Sequence, residues 1–310
     1  MRTLVIGGNG FIGTNLVDHL LASGHQVRVF DRYPNRFRGN TAGVEYLSGD
    51  IGNQGEMEEA VRGMEWVFHL AYTTLPQTSN DDPLYDIHSN IAGTVQLVTE
   101  CVKAKVKKFV FISSGGTVYG VPKEELIVED HPTDPICSYG ISKLSIEKYL
   151  HLFHKLKGLE YVVARISNPY GEFQNPDAKQ GAIGVFLGNV ARHQPITIWG
   201  DGEVVRDYIY IGDTVKALLR AAEYAPGEDS PRIFNVGYGE GHTLNEIVEV
   251  IREVVGPHVE VHHTGARPVD VPVNVLDIKR ASEHLSWRPE VTLKEGVQKS
   301  WNWINSLSLK

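Results

Sequence analysis

The 310-residue sequence predicts an α/β fold, a doubly wound parallel sheet followed by a smaller C-terminal α/β domain. Three observations carry this. Short β-branched runs alternate with longer amphipathic ones, a glycine-rich turn joins the first strand to the first helix, and the regular rhythm loosens after Asn168-Pro169-Tyr170-Gly171.

In chain order, Thr3 to Ile6 reads as the first strand. Phe11, Leu16, Leu20 and Leu21 give the next segment an apolar helical face, and Gly24 ends it. Gln26 to Phe30, Val44 to Leu47 and Trp66 to Leu70 are further strands, and Ile91, Val95, Val98 and Val102 mark the apolar face of a later helix. Lys108 to Ile112 and Tyr161 to Ile166 continue the strand series. Beyond residue 168, Gly200-Asp201-Gly202, Gly237 to Gly241 and Pro268 to Pro272 break the chain into short pieces. The domains are therefore expected at 1–168 and 169–310, and Arg232 to Val236, within 205–240, is suited to return to the main sheet as an extra strand. The sequence contains no internal repeat and no low-complexity tract.

Hydrophobic residues make up 42% and charged residues 22%, with 31 Gly and 15 Pro spread along the chain, which excludes disorder and fibrous repeats. Thirty Lys+Arg against 38 Asp+Glu leave a net charge of −8, so neither nucleic acid nor a membrane surface is an expected partner, since both need a basic face. Cys101 and Cys137 are too few for a disulfide framework. The chain runs straight into a strand and a glycine turn, and no apolar run reaches the roughly 18 residues of a membrane span. A cytoplasmic protein is expected. His262-His263 are adjacent rather than helically spaced, and His151 and His154 have no Cys or carboxylate cluster nearby, so no metal is expected.

Gly7-Gly8-Asn9-Gly10-Phe11-Ile12-Gly13 follows the first strand and opens the first helix. Gly7 permits a tight turn, Gly10 lets backbone approach a pyrophosphate at the helix N-terminus, and Gly13 lets the helix pack close to the sheet. Asp31 ends the second strand, at the spacing of a carboxylate that binds ribose hydroxyls. It would repel the 2′-phosphate of NADP, whereas Arg32 beside it would tolerate one, which favours NAD. Asp50-Ile51 falls beside the adenine, and Asp50 reads equally well as a loop cap.

Tyr139 and Lys143 are four apart in a helical stretch and project from one face. An ammonium near a phenol favours the phenolate and lowers a pKa that starts near about 10, which would suit a general base. Ser113-Ser114 ends the preceding strand, at the edge where such sheets bind ligands.

Gly-x-x-Gly-x-x-Gly from Gly7, the Ser113 to Gly120 segment, Tyr139-x-x-x-Lys143 and Asn168-Pro169-Tyr170-Gly171 together resemble the extended short-chain dehydrogenase/reductase family of NAD-dependent nucleotide-sugar epimerases and dehydratases. Gly200-Asp201-Gly202, Arg206-Asp207-Tyr208 and Arg267-Pro268-Val269-Asp270 extend the resemblance over nearly the whole chain. It implies a Rossmann domain holding NAD, a C-terminal substrate-binding domain for a nucleoside-diphosphate sugar, and a homodimer formed through two helices of each subunit. It implies that Tyr139 takes a proton from a sugar hydroxyl and Lys143 holds the nicotinamide ribose. Its cofactor contacts fall on Gly7, Gly10, Phe11, Ile12, Gly13, Asp31, Asp50, Ile51, Leu70, Ala71, Asn90, Ser113, Tyr139 and Lys143.

One position departs from the pattern. The family usually has a Ser or Thr where this chain has Gly115, so Thr117 or Ser114 is left to supply the assisting hydroxyl. Dehydratases of the family carry an Asp-Glu pair at Gly116-Thr117, and its absence favours epimerisation at sugar carbon 4 through a 4-keto-sugar. UDP-glucose and UDP-galactose are the expected substrates, and UDP-N-acetylglucosamine is a further candidate. The alternatives are a nucleotide-sugar dehydratase, decarboxylase or reductase, or a catalytically silent NAD-binding regulator. Arg206 and Arg267, with the Asn168 amide and Asp270, are expected to hold the diphosphate end. For Arg206 the competing reading is a surface salt bridge to Asp207 or Asp213. Trp199 matches a position that packs on uracil in relatives, against the competing reading of a core tryptophan. Asn274 falls where glucose-restricted epimerases have a Tyr, so a smaller residue there suits an N-acetyl group. The polar stretch from Tyr72 to Asp86 reads as a surface loop near the sugar.

Overall fold

The computed structural model describes residues 1–178, 180–265 and 271–307. β1 (Arg2–Ile6) runs into α1 (Phe11–Ala22), followed by β2 (Gln26–Asp31), β3 (Val44–Ser48), α2 (Gln54–Val61) and β4 (Trp66–His69). A 3₁₀ turn (Thr78–Asn80), α3 (Pro83–Asp86) and a π-helical stretch (Ile87–Ala92) lead into α4 (Gly93–Lys103), β5 (Lys108–Ser114), α5 (Ser138–Lys157) and β6 (Tyr161–Ile166). β7 (Asn168–Tyr170), α6 (Ala182–Ala191), β8 (Ile196–Trp199), β9 (Val205–Tyr210), α7 (Ile211–Glu223) and β10 (Ile233–Val236) come next. The remaining elements are β11 (Gly241–Thr243), α8 (Leu244–Val255), β12 (Val261–Thr264), β13 (Val273–Asn274), α9 (Lys279–Leu285) and α10 (Leu293–Ser306).

The main sheet has the order β10-β6-β5-β4-β1-β2-β3, and every neighbouring pair is parallel. Leu16, Val17 and Leu20 of α1 and Val215 and Leu218 of α7 pack on one face. Met57 of α2, Leu97 and Val98 of α4, and Ile146 and Leu150 of α5 cover the other. Burial on both faces is what the near-continuous apolar strands require. The strand order reverses at β1, which lies between β2 and β4, so a crevice opens at the carboxyl ends of these strands. β10 joins the edge of this sheet, with Ile233 to Val236 in register with Val163 to Ile166.

Two local readings change. The strand expected to reach Leu70 ends at His69. On α4 the buried face is Thr94, Leu97, Val98 and Cys101, while Ile91, Val95 and Val102 stay only half-buried. The π-helical stretch before Gly93 widens the preceding turn and rotates the face that follows.

The rest of the chain builds around β9, which pairs with β7 and β13 in parallel and with β11 antiparallel. β8 and β12 form a separate parallel pair. A third apolar core joins α6, α8 and α10 through Ile183, Leu187, Ile247, Ile251, Val297 and Ile304. Among the described residues no helix is long and apolar enough to cross a membrane, and no three His, Cys, Asp or Glu side chains are grouped to hold a metal ion.

Candidate active site at the carboxyl edge of the sheet

The glycine turn is shaped by contacts that exclude side chains. Gly7 has φ +81°, and a Cβ there would lie 2.8 Å from Ala71 N; one on Gly13 would lie 2.2 Å from Gly7 O. Leu70 N and Ala71 N both donate to Ile6 O, so the end of β4 rests against the turn. Gly10, the N-cap of α1, supplies no side-chain bond, and the first turn has no acidic residue. The opening N–H groups at Phe11, Ile12 and Gly13 therefore suit an anionic acceptor at the positive end of the helix. The Asp31 carboxylate accepts from Asn9 N at 2.9 Å and Tyr33 N at 3.2 Å, which leaves lone pairs for ribose hydroxyls. These features fit a dinucleotide.

The outer residues have partners within the chain. Arg32, which by sequence would tolerate a 2′-phosphate, pairs with Asp50 at 2.6 Å. Asp50 also accepts from Gly52 N at 2.9 Å, the loop-cap reading of that residue, and Ile51 is buried in the core under α4.

Tyr139 and Lys143 do lie on one face of α5. Lys143 Nζ is 5.5 Å from the Tyr139 ring centroid, 4.1 Å from that of Tyr72 and 4.8 Å from that of Phe111. It donates to Ile112 O at 2.7 Å, which ties α5 to the carboxyl end of β5. The Tyr72 ring meets Tyr139 edge-on at 4.6 Å, and Tyr72 follows Ala71, so the glycine turn and the tyrosine share one edge of the sheet.

Burial acts on this pair against the direction that the spacing suggests. Burial pushes the Tyr139 phenol well above its ordinary value, with Cys137 and Asp86 adding to the rise. Burial also lowers the Lys143 ammonium to about 7, although Glu147 and Asp86 oppose the drop. Spacing alone suggested that the ammonium would acidify the phenol. In the folded chain, loss of water disfavours both charged forms.

One turn further along α5, Glu147 is buried and paired with Arg165 Nη2 at 2.6 Å and Nε at 3.1 Å. Ser113, expected at the cofactor, donates its hydroxyl to Glu147. Asn90, also expected there, engages both amide atoms within the protein: Oδ1 accepts from Thr73 N at 3.0 Å, and Nδ2 donates to Asp86 at 3.0 Å.

The stretch from Tyr72 to Asp86 is more than a polar surface loop. Asp86 is fully buried, Ser79 Oγ accepts from Tyr139 N at 3.0 Å, and Asn80 Oδ1 accepts from Ser138 N at 2.9 Å. Sequence reasoning missed these residues. The available signal was Asp82-Pro83, a helix start in which Asp82 caps Tyr85 N.

Gly115 has a physical reason. A Cβ there would lie 2.5 Å from Leu276 Cδ1, so Leu276 occupies the volume a Ser or Thr would need. A Cβ on Gly140 would lie 2.8 Å from Thr117 O, so the loop carrying Thr117 presses directly on α5 beside Tyr139. Thr117 Oγ1 is buried with no protein partner. Ser114, the last residue of β5, is partly buried just before this loop. Asn274 is 2% exposed, donates Nδ2 to Gly115 O at 3.3 Å, and has a buried Oδ1 with no protein partner.

Toward the C-terminal side, Asn168 Nδ2 donates to Asp207 O at 2.9 Å. Asp207 is fully buried and accepts from Ser167 Oγ, Tyr238 N, Gly239 N and Leu276 N; burial lifts it to about 6 against the pull of those donors. Asp213 accepts from Glu290 N and Val291 N, so both carboxylates suggested as ion partners of Arg206 are engaged by other donors. Trp199 is 48% exposed at the end of β8, which removes the core reading of that residue. Arg267 and Asp270 lie outside the described residues.

Comparison with known proteins places the chain in a family. The profile of the NAD dependent epimerase/dehydratase family matches residues 3–237. The UDP-glucose 4-epimerase of Mycolicibacterium smegmatis is 35% identical over 320 residues, covering 99% of this chain and 100% of the relative. The crystal structure of a UDP-glucose 4-epimerase from Thermotoga maritima with UDP-glucose superposes with a TM-score of 0.93 at 35% identity, covering 99% of both chains. That of the Thermus thermophilus UDP-glucose 4-epimerase with NAD gives 0.90 at 34% identity, covering 98% of this chain and 99% of the other.

Proposed function

The chain belongs to the NAD dependent epimerase/dehydratase family, and from that membership we propose that it is an NAD-dependent UDP-sugar 4-epimerase acting on UDP-glucose and UDP-galactose. The observation that carries the proposal is the shared edge: Tyr139 touches Tyr72, next to the Ala71 that backs the glycine turn. NAD, held at the glycine turn and by Asp31, would supply a hydride acceptor and donor for sugar carbon 4, as epimerisation through a 4-keto-sugar requires.

The protein residues then have separable tasks. Phe11, Ile12 and Gly13 offer backbone N–H groups to the diphosphate, and Asp31 takes ribose hydroxyls. Tyr139 accepts the proton of the sugar 4-hydroxyl and later gives it back. Burial by itself raises this phenol, so accepting the proton requires the bound cofactor and substrate to favour the phenolate. Lys143, with its ammonium near neutrality, is poised to hold a ribose hydroxyl and to share that proton. Thr117 is the assisting hydroxyl, supported by its buried, unpartnered oxygen and the close approach of its loop to α5. Arg206 and Asn168, with Arg267 and Asp270, grip the nucleoside diphosphate, and Trp199, at the end of β8, packs on the base.

Asn274 carries the finer reading of specificity. A short side chain with an unpartnered oxygen suits the 2-acetamido group of UDP-N-acetylglucosamine, so both plain and acetylated sugars are substrates. A homodimer is supported by Ile141, Tyr149, Leu152 and Leu156, which form an exposed apolar stripe along α5 next to the exposed Leu84 and Ile87. The cytoplasm suits a chain with two unpaired cysteines.

Incubation with a panel of UDP-sugars, followed by NMR of the anomeric protons, tests the reaction. Interconversion of UDP-glucose and UDP-galactose without net consumption of NADH is expected, and no exchange of any UDP-hexose would remove the assignment. Tyr139→Phe should lower kcat by about 10²–10⁴-fold. Equal effects of Asn274→Tyr on plain and acetylated sugars would count against the specificity reading.

A further inference from the structure

Resting on the assignment of Tyr139 as proton acceptor, we propose that Asp86 is a positioning residue. Together with Ser79 and Asn80 it forms the cap that α5 lacks in its own sequence and sets where the Tyr139 side chain stands.

The first N–H groups of any helix need acceptors from outside it. α5 is 20 residues long, and its N-cap, Cys137, makes no side-chain capping bond. Ser138 N and Tyr139 N donate instead to Asn80 Oδ1 and Ser79 Oγ, 58 and 60 residues back in the chain. The acceptor for Tyr139 N is therefore part of a different element, and Tyr139 moves if that element moves.

Asp86, on α3 just after that 3₁₀ turn, ties the start of α5 to the segments on either side of the turn. Its Oδ2 accepts from Ser138 Oγ at 3.1 Å and Ser142 Oγ at 2.6 Å, the residues that bracket Tyr139 on α5. Its Oδ1 accepts from Thr74 Oγ1 and from Asn90 Nδ2 at 3.0 Å. Two donors thus come from the catalytic helix, and Thr74 belongs to the segment whose Tyr72 ring lies 4.6 Å from the Tyr139 ring. A buried carboxylate with a donor on each lone pair holds its partners in one geometry. Ser142 is also the residue directly before Lys143, so the same contact orients both members of the Tyr139–Lys143 pair. Reacting groups tolerate little displacement, since about 1 Å can cost about 100-fold in rate.

Full-length NAD-loaded enzyme bearing Asp86→Ala, Asp86→Asn, Ser142→Ala or Asn80→Ala tests this against the parent and Tyr139→Phe, with kcat and KM for UDP-glucose measured for each. Asp86→Ala should lose about 100-fold in kcat with KM within about threefold of the parent. Asp86→Asn keeps one acceptor oxygen and can donate to serine hydroxyls that turn to accept, so it should recover to within about tenfold. If Asp86→Ala does not fold, Ser142→Ala decides, with an expected loss of about tenfold in kcat alone. Parent kcat in Ser142→Ala and Asn80→Ala, a loss confined to KM, or Asn as inactive as Ala would each overturn the proposal. An inactive Tyr139→Phe beside unaffected Ser142→Ala and Asp86 variants removes only the positioning role; a fully active Tyr139→Phe removes the role of Tyr139 itself.

Discussion

The N-terminus of α5 and those of α8 and α10 solve the same problem by opposite means. In α8 the Thr243 hydroxyl accepts from Glu246 N while the Glu246 carboxylate accepts from Thr243 N, and Thr292 and Glu295 repeat the exchange in α10. Each of these boxes closes within three residues. α5 has no such box and takes its acceptors from Ser79 and Asn80. The helices that shape the C-terminal core are thus capped by themselves, and the helix that carries Tyr139 is capped by the wall of its own site. A cap that belongs to the site can carry information about geometry, whereas a local cap carries only stability.

The largest effect that sharpens this contrast is expected at the middle of α5. Arg165→Met leaves the Glu147 carboxylate buried without its partner and should lower unfolding stability by about 3–5 kcal/mol, read from urea denaturation. A change below about 1 kcal/mol would mean that α5 does not depend on distant partners. Next comes Lys143. Its ammonium falls from 10.5 to about 7 on burial, so between those pH values the unfolded chain binds more protons and stability rises with pH. Lys143→Met should therefore stabilise the inactive protein by about 1–3 kcal/mol below pH 7, with the gain fading as pH rises toward 10.5. A gain that grew with pH would contradict the assigned burial.

Smaller effects compare the caps themselves. Thr243→Ala and Thr292→Ala should each cost about 1 kcal/mol while kcat is unchanged. Asn80→Ala should cost about as much and lower kcat as well; an equal drop in kcat from Thr292→Ala would break the contrast. The smallest effect is expected on the exposed face of α8, where Glu249→Gln removes a surface pair with Arg252 and should change stability by less than about 0.5 kcal/mol.

Much of the dinucleotide end was legible in the sequence. Gly7 and Gly13 lie within one turn and are required by contacts with that turn and the adjacent strand end, so their spacing was sufficient. The four-residue interval between Tyr139 and Lys143 placed both on one helix face. Their ionisation was not legible, because it depends on how much water the folded chain removes. Asn90 and Ser113 illustrate a different limit: the bonds they make within the chain, to Thr73 and Asp86 and to Glu147, join segments far apart in sequence. The surface position of Trp199 and the Leu276 side chain that fills the space above Gly115 depend equally on segments far away in the chain.

By itself the sequence determined the alternation of strands and helices, the glycine turn and the self-capped helices, because hydrophobic period, steric room and local hydrogen bonds act between residues a few positions apart. Only the tertiary structure decided that Asp86 meets Ser138 and Ser142 across 52 and 56 residues, and that burial moves Tyr139 and Lys143 toward their neutral forms. Those outcomes depend on which segments exclude water from one another, and that is settled when the sheet and its helices close.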